Sequence, residues 1–150
     1  MPEPNPRSTA SLAGHPLHAM LVPFPIACFV GAFLTDLTYW RTADMMWANF
    51  SIWLITAGLV TGVLAAAAGL TDFFGSRQIR SVRSAWYHGG GNGLALILSL
   101  FNAFVHSRDA YTSVVSTGLI LSGLVVLILL FTGWLGGALV FRHRVGVVSR

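Results

Sequence analysis

Charged side chains are scarce in this chain: Asp, Glu, Lys and Arg together make up 9% of its 150 residues. Soluble domains carry about a quarter charged residues. Lysine is missing altogether, so all nine basic residues are arginines. Hydrophobic residues make up 55% of the chain, and its mean hydropathy is +0.71. This composition excludes an ordinary soluble domain and indicates an integral membrane protein.

Cysteine is almost as rare, because Cys28 is the only one. A single cysteine cannot form an internal disulfide, a Cys-x-x-Cys-His haem attachment or a cysteine-based zinc or iron–sulfur site. The sequence also lacks a Ser-His-Asp arrangement, a metalloprotease helix motif, a phosphate-binding glycine loop and paired carboxylates at a useful spacing. We therefore expect an electron-transfer or structural protein rather than a hydrolase.

The chain is rich in apolar runs, each about as long as the 20 residues that a helix needs to cross a bilayer. They predict an all-α fold, a four-helix transmembrane bundle. Residues 1–13 are polar and proline-rich and are expected to form a disordered tail, followed by one membrane domain over residues 14–150. The expected spans are Leu17–Trp40, Trp47–Phe74, Trp86–His106 and Ser113–Gly137.

The arginines predict the orientation of this bundle. Seven of the nine lie in the N-terminal segment, the loop between spans two and three, or the C-terminal tail, which share one side of a four-span protein. Only Arg41 and Arg108 fall on the other side. Basic residues concentrate in cytoplasmic loops, so both termini are expected in the cytoplasm of a bacterial inner membrane protein. The positive charge then favours anionic membrane lipid, and nucleic acid is not an expected partner.

Small residues and prolines indicate unusual packing in three spans. Pro23 and Pro25 each remove a backbone donor, which predicts an irregular start to span one. Span three opens with WYHGGGNG, which leaves room for a second helix or a flat ring system. Span two has small residues that favour close helix contact, and these are expected to face the bundle interior. They are Gly58, Gly62, Ala65 and Gly69.

Polar side chains near the membrane fall into two layers, and ionisable groups at such depths are functional candidates because they are costly to keep there. The cytoplasmic layer receives residues from all four spans: His15, His18, Asp72, His88, Asn92, Arg142 and His143. The opposite layer contains Asp36, His106, Arg108 and Asp109.

Two histidines on different helices at one depth are what haem ligation by two imidazoles requires. The cytoplasmic layer therefore predicts haem b between His18 and His88, with His15 as the alternative ligand. Neutral imidazole also suits zinc, copper or nickel, so the metal stays open. Nearby polar groups are expected to orient the rings, as around metal-binding histidines in general. They are Asp72, Asn92, Arg142 and His143.

His106 receives a different interpretation. It lies five helical turns from His88 on the same helix face, about 27 Å away. We expect an interfacial helix cap there rather than a second ligand site. His18 and His88 are 70 residues apart, and so are Asp36 and His106. This equal spacing raises the hypothesis of a weak internal duplication.

Three motifs give the chain a resemblance to a known family. They are GHPLHAMLVPFPIACF at residues 14–29, GLTDFFG at 69–75 and GWLGGALVFRHRVGV at 133–147. With Asp36 and the pair His88 and Asn92, they resemble the bacterial membrane family catalogued as domain of unknown function 2231. Ala19 stands where that family usually has a second proline, and Ala138 also departs from its pattern.

The resemblance implies a four-helix membrane protein, and some members are fused or adjacent to redox domains, which favours electron transfer. It also marks positions that match the family motifs, and His106 is not among them. They are His15, His18, Asp36, Asp72, His88, Asn92, Arg142, His143 and Gly146.

Three functions follow from these patterns. The preferred one is a small cytochrome-like protein that exchanges electrons with a quinone or a redox protein. The alternative is a non-catalytic membrane subunit or scaffold with a structural polar network. The third is metal or proton translocation through Asp36 and Asp72. Membrane lipid is a partner in every case, and a homo-oligomer is compatible with all three.

Overall fold

The computed structural model describes residues 5–108 and 114–147, and within them it is predominantly helical, as the sequence predicts. Strands β1 (Ser11–Leu12) and β2 (His15–Pro16) form a small antiparallel hairpin before the helices. The predicted positions Asp109 and Ser113 lie outside the described residues. The helices are α1 Leu17–Leu21, α2 Pro23–Thr42, α3 Met45–Gly75, α4 Arg77–Ser81, α5 Arg83–Ser107 and α6 Leu119–Phe141. An irregular turn at Val114–Gly118 precedes α6.

The four long helices pack in a closed order. α2 contacts α3, α3 contacts α5, α5 contacts α6, and α6 contacts α2. This order places α2 and α5 at opposite corners of the bundle, so side chains from them meet across its centre. Midway between the ends, Phe29, Ala95 and Val125 form an apolar cluster. One end carries the described parts of both termini and is called the termini end below, and the other is called the opposite end.

Helix boundaries follow from local chemistry. The helix is interrupted at Val22, between α1 and α2, because Pro23 and Pro25 cannot donate backbone hydrogen bonds to the preceding turn. This is the irregular start that the prolines predict. α2 ends at Ala43 in a left-handed conformation with φ +53°. The carboxylate of Asp44 then accepts a hydrogen bond from the N–H of Met46 and begins α3.

Three helical segments of the described chain are long and apolar enough to cross a membrane: Leu17–Thr42, Met45–Gly75 and Val114–Phe141. Their outer surfaces expose large apolar side chains, among them Trp53 and Trp134, each 74% exposed. Large apolar surfaces of this kind are typical of contact with lipid. The helix α5 does not reach the same hydropathy, because glycines, His88, Asn92 and His106 interrupt its apolar residues, so a fourth span stays a prediction.

The small-residue face of α3 points into the bundle, as expected. An added Cβ on Gly58 would lie 2.7 Å from the ring of Phe29 on α2. One on Gly62 would lie 2.7 Å from Leu96 on α5. Glycine at these two positions lets α3 approach both neighbours closely, which is how helices associate in lipid.

The N-terminal segment differs from its prediction. Residues 5–13 were expected to be disordered, but the structure packs them across the termini end. The backbone N–H of Gly146 donates to the carbonyl of Pro6 at 2.8 Å, so this segment also holds the C-terminal tail. Its hairpin turns through Ala13 and Gly14, both with positive φ.

Candidate functional site

Two histidines meet near the termini end of the bundle. The ring centroids of His18, on α1, and His88, on α5, are 5.9 Å apart, and the ring planes are 84° apart. Nδ1 of His18 lies 2.8 Å from the carbonyl oxygen of Ala65, and Nδ1 of His88 lies 2.9 Å from that of Thr132. A carbonyl can only accept, so each Nδ1 donates. This fixes the tautomer and leaves a lone pair on each Nε2.

The two rings have matching surroundings. An added Cβ on Gly69 would lie 2.8 Å from Nδ1 of His18, and one on Gly136 would lie 3.0 Å from Cε1 of His88. Each glycine lies four residues after the one whose carbonyl accepts the ring's hydrogen bond. The same arrangement thus occurs in both halves of the chain, which supports the hypothesis of an internal duplication.

Both rings line one cavity of about 80 Å³. Asn92 and Thr132 add polar groups to a lining that is otherwise apolar. The Thr132 hydroxyl donates to Oδ1 of Asn92 at 3.2 Å, and the Asn92 amide donates to the carbonyl of His88 at 2.7 Å. This volume is enough for an ion or a few water molecules, whereas pockets for organic ligands are typically about 300–1,000 Å³.

Three predicted residues lie elsewhere. His15 is exposed in the hairpin, where its Nδ1 lies 3.1 Å from the carbonyl of Ala13. Arg142 and His143 follow α6 and are exposed. The structure therefore places His18, and not His15, opposite His88. It also corrects the expectation that Arg142 and His143 orient the rings.

Asp72 fastens the N-terminal segment. Its carboxylate accepts hydrogen bonds from the Ser8 hydroxyl at 2.9 Å, the Thr9 hydroxyl at 3.2 Å and the backbone N–H of Ala10 at 2.7 Å. Backbone carbonyls orient the two imidazoles instead, so the role expected of Asp72 is also corrected.

A second pair lies at the opposite end, between α2 and α5. Nε2 of His106 lies 2.9 Å from Oδ1 of Asp36, and the two residues are 5% and 1% exposed. Nδ1 of His106 lies 3.0 Å from the carbonyl of Asn102. The Ser122 hydroxyl donates to the other oxygen of Asp36 and accepts from the Asn102 amide at 2.8 Å. The expectation of an interfacial cap at His106 is therefore wrong, because this ring is buried among the helices.

Sequence reasoning missed five polar side chains of the interior. Each is at most 3% exposed: Ser51, Ser99, Asn102, Ser122 and Thr132. Two of them continue the polar face of α5, where the spacing of three or four residues was visible in the sequence. That face comprises His88, Asn92, Ser99, Asn102 and His106. Nothing in the apolar sequence of α6 singles out Ser122 and Thr132.

Over residues 5–108 and 114–147, the structure gathers no group of three or more His, Cys, Asp or Glu side chains that could hold a metal ion. The His18–His88 pair can therefore supply two protein ligands. A tetrahedral zinc site usually has three or four. A haem iron needs only axial ligands from the protein, because the macrocycle supplies the others.

Comparison with known proteins gives one match. A family model described as a predicted membrane protein (DUF2231) matches residues 14–149. No curated protein and no solved structure matches the chain. The matched range includes both polar pairs and all the long helices.

Proposed function

The chain belongs to the DUF2231 family of predicted membrane proteins, and we propose that His18 and His88 are the two protein ligands of haem b in a membrane electron carrier. The observation that carries this proposal is the fixed tautomer of both rings. Metal-binding histidines commonly donate their second N–H to a carbonyl or carboxylate, and both rings here do so.

The spacing of the rings supports a shared metal. With metal–nitrogen bonds of about 2.0–2.1 Å, one ion can hold two imidazoles whose ring centroids are at most about 6.4 Å apart. The centroids of these two rings are 5.9 Å apart, which is within that limit. His18 on α1 and His88 on α5 reach the cavity from different helices, so a metal bound there would take one nitrogen from each.

The cavity is smaller than a haem group. Its volume of about 80 Å³ suits an ion, so a macrocycle requires the helices to separate around it. Gly133 on α6 lines the cavity, and among the described residues no atom beyond its chain neighbours and its own helix backbone lies within 4 Å of the position that a Cβ on it would take. Haem b supplies one-electron chemistry when bound. The chain's own residues hold and orient it, and a quinone or a redox protein exchanges the electron.

The membrane arrangement is part of the proposal. α5 is as long as a span, with 25 residues, and packs between α3 and α6. As the fourth span it places the termini end in the cytoplasm of a bacterial inner membrane. The distribution of arginine supports this orientation, because Arg7, Arg77, Arg80, Arg83, Arg142 and Arg144 lie at that end.

Reporter fusions test this topology. A reporter inserted at Asp44, in the turn between α2 and α3, should score outside the cytoplasm, and one fused after Val147 should score inside. Two fusions in the same compartment, or the reverse assignment, would contradict it.

A second candidate is a scaffold in which these polar groups only hold the bundle together. Asp72 favours it, because its carboxylate is used for fastening the N-terminal segment. The small cavity favours the scaffold as well, because a structural polar network needs no organic ligand.

Absorbance spectra separate the two candidates. The full chain, purified in detergent from haem-replete cells, should show a Soret band and a change on reduction. His18→Ala and His88→Ala should each lose the spectrum of the wild-type protein, because one of the two proposed protein ligands is removed. His15→Ala and His143→Ala, at exposed positions, are the matched controls and should keep it.

Wild-type protein without a Soret band would contradict the haem proposal. Metal analysis of the same preparation then decides the remaining question. Zinc, copper or nickel bound in a His18-dependent manner would indicate a bare ion, and no bound metal would support the scaffold.

A further inference from the structure

The short helix α1 carries His18 but is held only weakly by its own packing. It has five residues, and none of them is buried. Pro16, which precedes α1, gives it no side-chain cap. Two of the hydrogen bonds that would join α1 firmly to α2 are missing, because Pro23 and Pro25 have no N–H to donate. The position of His18 therefore depends on contacts outside α1 itself.

A path of two hydrogen bonds joins α1 to Asp72 on α3. The N–H of Leu17, the first residue of α1, donates to the carbonyl of Ala10 at 2.9 Å. The N–H of Ala10 donates to Oδ1 of Asp72 at 2.7 Å. The hairpin of β1 and β2 closes the loop between Ala10 and Leu17. Ala10 thus supplies an acceptor to the start of α1, where helical N–H groups have no partner within the helix, and Asp72 holds Ala10 in place.

Asp72 lies on the face of α3 that also receives the His18 ring. Ala65, Gly69 and Asp72 are spaced by four and three residues, so they follow one another along this face. The carbonyl of Ala65 accepts the Nδ1 hydrogen bond, and Gly69 leaves the space that the ring fills. Asp72 adds a third attachment, which holds the backbone that precedes the ring.

The second half of the chain has an apolar residue at the equivalent place. Leu139 follows Gly136 by three residues, as Asp72 follows Gly69. Leu139 belongs to a buried cluster with Ala85, which lies one helical turn before His88 on α5. Because α5 has 25 residues, its packing holds His88. The carboxylate thus stands in the half whose histidine lies on a short helix.

We propose that Asp72 is a positioning residue for His18, which acts through the backbone of Ala10 and sets the separation of the two imidazoles. Its carboxylate bonds the N-terminal segment, so it reaches the ring only through α1. The link to His18 exists in protein without a ligand, and its use in holding haem rests on the proposed function.

Nuclear magnetic resonance of the full, ligand-free chain in lipid nanodiscs tests this link. With ¹⁵N-labelled histidine we expect a slowly exchanging Nδ1 proton on each ring, since each donates to a carbonyl. His18→Gln and His88→Gln assign the two signals. In Asp72→Leu the His18 proton should exchange severalfold faster, because α1 is released from α3. The His88 signal should not change, which shows that the bundle is folded. An unchanged exchange rate at His18 would overturn the proposal.

Two variants separate the link at Ala10 from the other bonds of Asp72. Ser8→Ala removes a bond to the same carboxylate but leaves the N–H of Ala10, so the His18 proton should exchange as in wild type. Asp72→Asn keeps an oxygen that can accept from Ala10, so it should restore the slow exchange that Asp72→Leu loses. Equal acceleration in Ser8→Ala and Asp72→Leu would overturn the proposal, because it would mean that the segment is only fastened there.

Ala10→Pro replaces Asp72→Leu if that variant does not fold. It removes the same N–H without a change in α3, and it should also speed exchange at His18 alone. An unchanged rate in Ala10→Pro would overturn the link.

Haem binding is scored separately from this link. Wild-type protein without a Soret band would contradict the haem proposal and leave the exchange test as it stands. If the band is present, Asp72→Leu should shift or weaken it, whereas Ser8→Ala should keep it. A wild-type band in Asp72→Leu would overturn the use of Asp72 in holding the ligand.

Discussion

Each end of the bundle pairs a residue of α5 with a residue of the Leu17–Thr42 segment, from α1 at one end and from α2 at the other. The sequence spacing of the two pairs is the same, but their chemistry differs. At the termini end, two imidazoles face each other, His18 and His88. At the opposite end, an imidazole meets a carboxylate, His106 and Asp36. An acid and a base complete each other's hydrogen bonds. Two bases that each donate from Nδ1 present two lone pairs on their Nε2 atoms, and these need a donor or a metal from outside the pair. The Asn92 amide nitrogen lies 3.4 Å from Nε2 of His88.

The two pairs also differ in how deeply they are buried. Asp36 and His106 are closed off by Asn102 and Ser122, whereas His18 and His88 are half-buried and line a cavity. A polar pair that is satisfied internally stabilises a fold without a ligand, and one that is satisfied only in part is a better candidate for binding. The comparison therefore makes the termini end the better candidate for ligand binding.

The largest expected effect comes from removing one member of the buried pair. Asp36→Ala leaves His106 without its partner in the bundle interior, and breaking a buried pair in this way costs about 3–5 kcal/mol. The free energy of unfolding in mixed micelles, followed by circular dichroism, measures it.

The double variant sharpens this result. Asp36→Leu with His106→Leu should cost clearly less than the two single changes added together, because no unpaired polar group remains. Additive costs, or a cost below about 1 kcal/mol for Asp36→Ala, would mean that the pair does not stabilise the fold.

A smaller effect is expected from the glycines on which the rings rest. An added methyl at Gly118 would lie 2.8 Å from Cε1 of His106, and one at Gly136 would lie 3.0 Å from Cε1 of His88. His106 cannot move without losing Asp36, so Gly118→Ala should cost about 1–3 kcal/mol, as overpacked cores do. His88 can shift toward its cavity, so Gly136→Ala should cost less. Thermal unfolding of both variants makes the comparison, and equal losses would contradict it.

Sequence reasoning succeeded where the signal was apolar or periodic. Runs of hydrophobic residues located the long helices, and small residues such as Gly58 and Gly62 predicted the inner face of α3. These features depend on the chemistry of one segment at a time.

Sequence reasoning failed where contacts between distant segments of the chain determine the position of a side chain. Nothing in the residues around His106 shows that Asp36 lies opposite it, so an interfacial position was expected. Asp72 was expected to orient the imidazole rings, but the N-terminal segment folds back and the Ser8 hydroxyl donates a hydrogen bond to its carboxylate. His18 was the preferred ligand and His15 the alternative, and the packing of α1 on α3 places His18 at the cavity.

The smallest effect should come from His18→Ala in protein free of ligand. The change removes one hydrogen bond to the carbonyl of Ala65, and a bond of this kind is worth about 0.5–1.5 kcal/mol. His106→Ala, measured in the same micelles, should cost several times more because it strands Asp36. A small loss at His18 combined with a large one at His106 fits a site kept for an external ligand. If His18→Ala destabilises as much as His106→Ala, the two ends are equivalent and the termini end is structural as well.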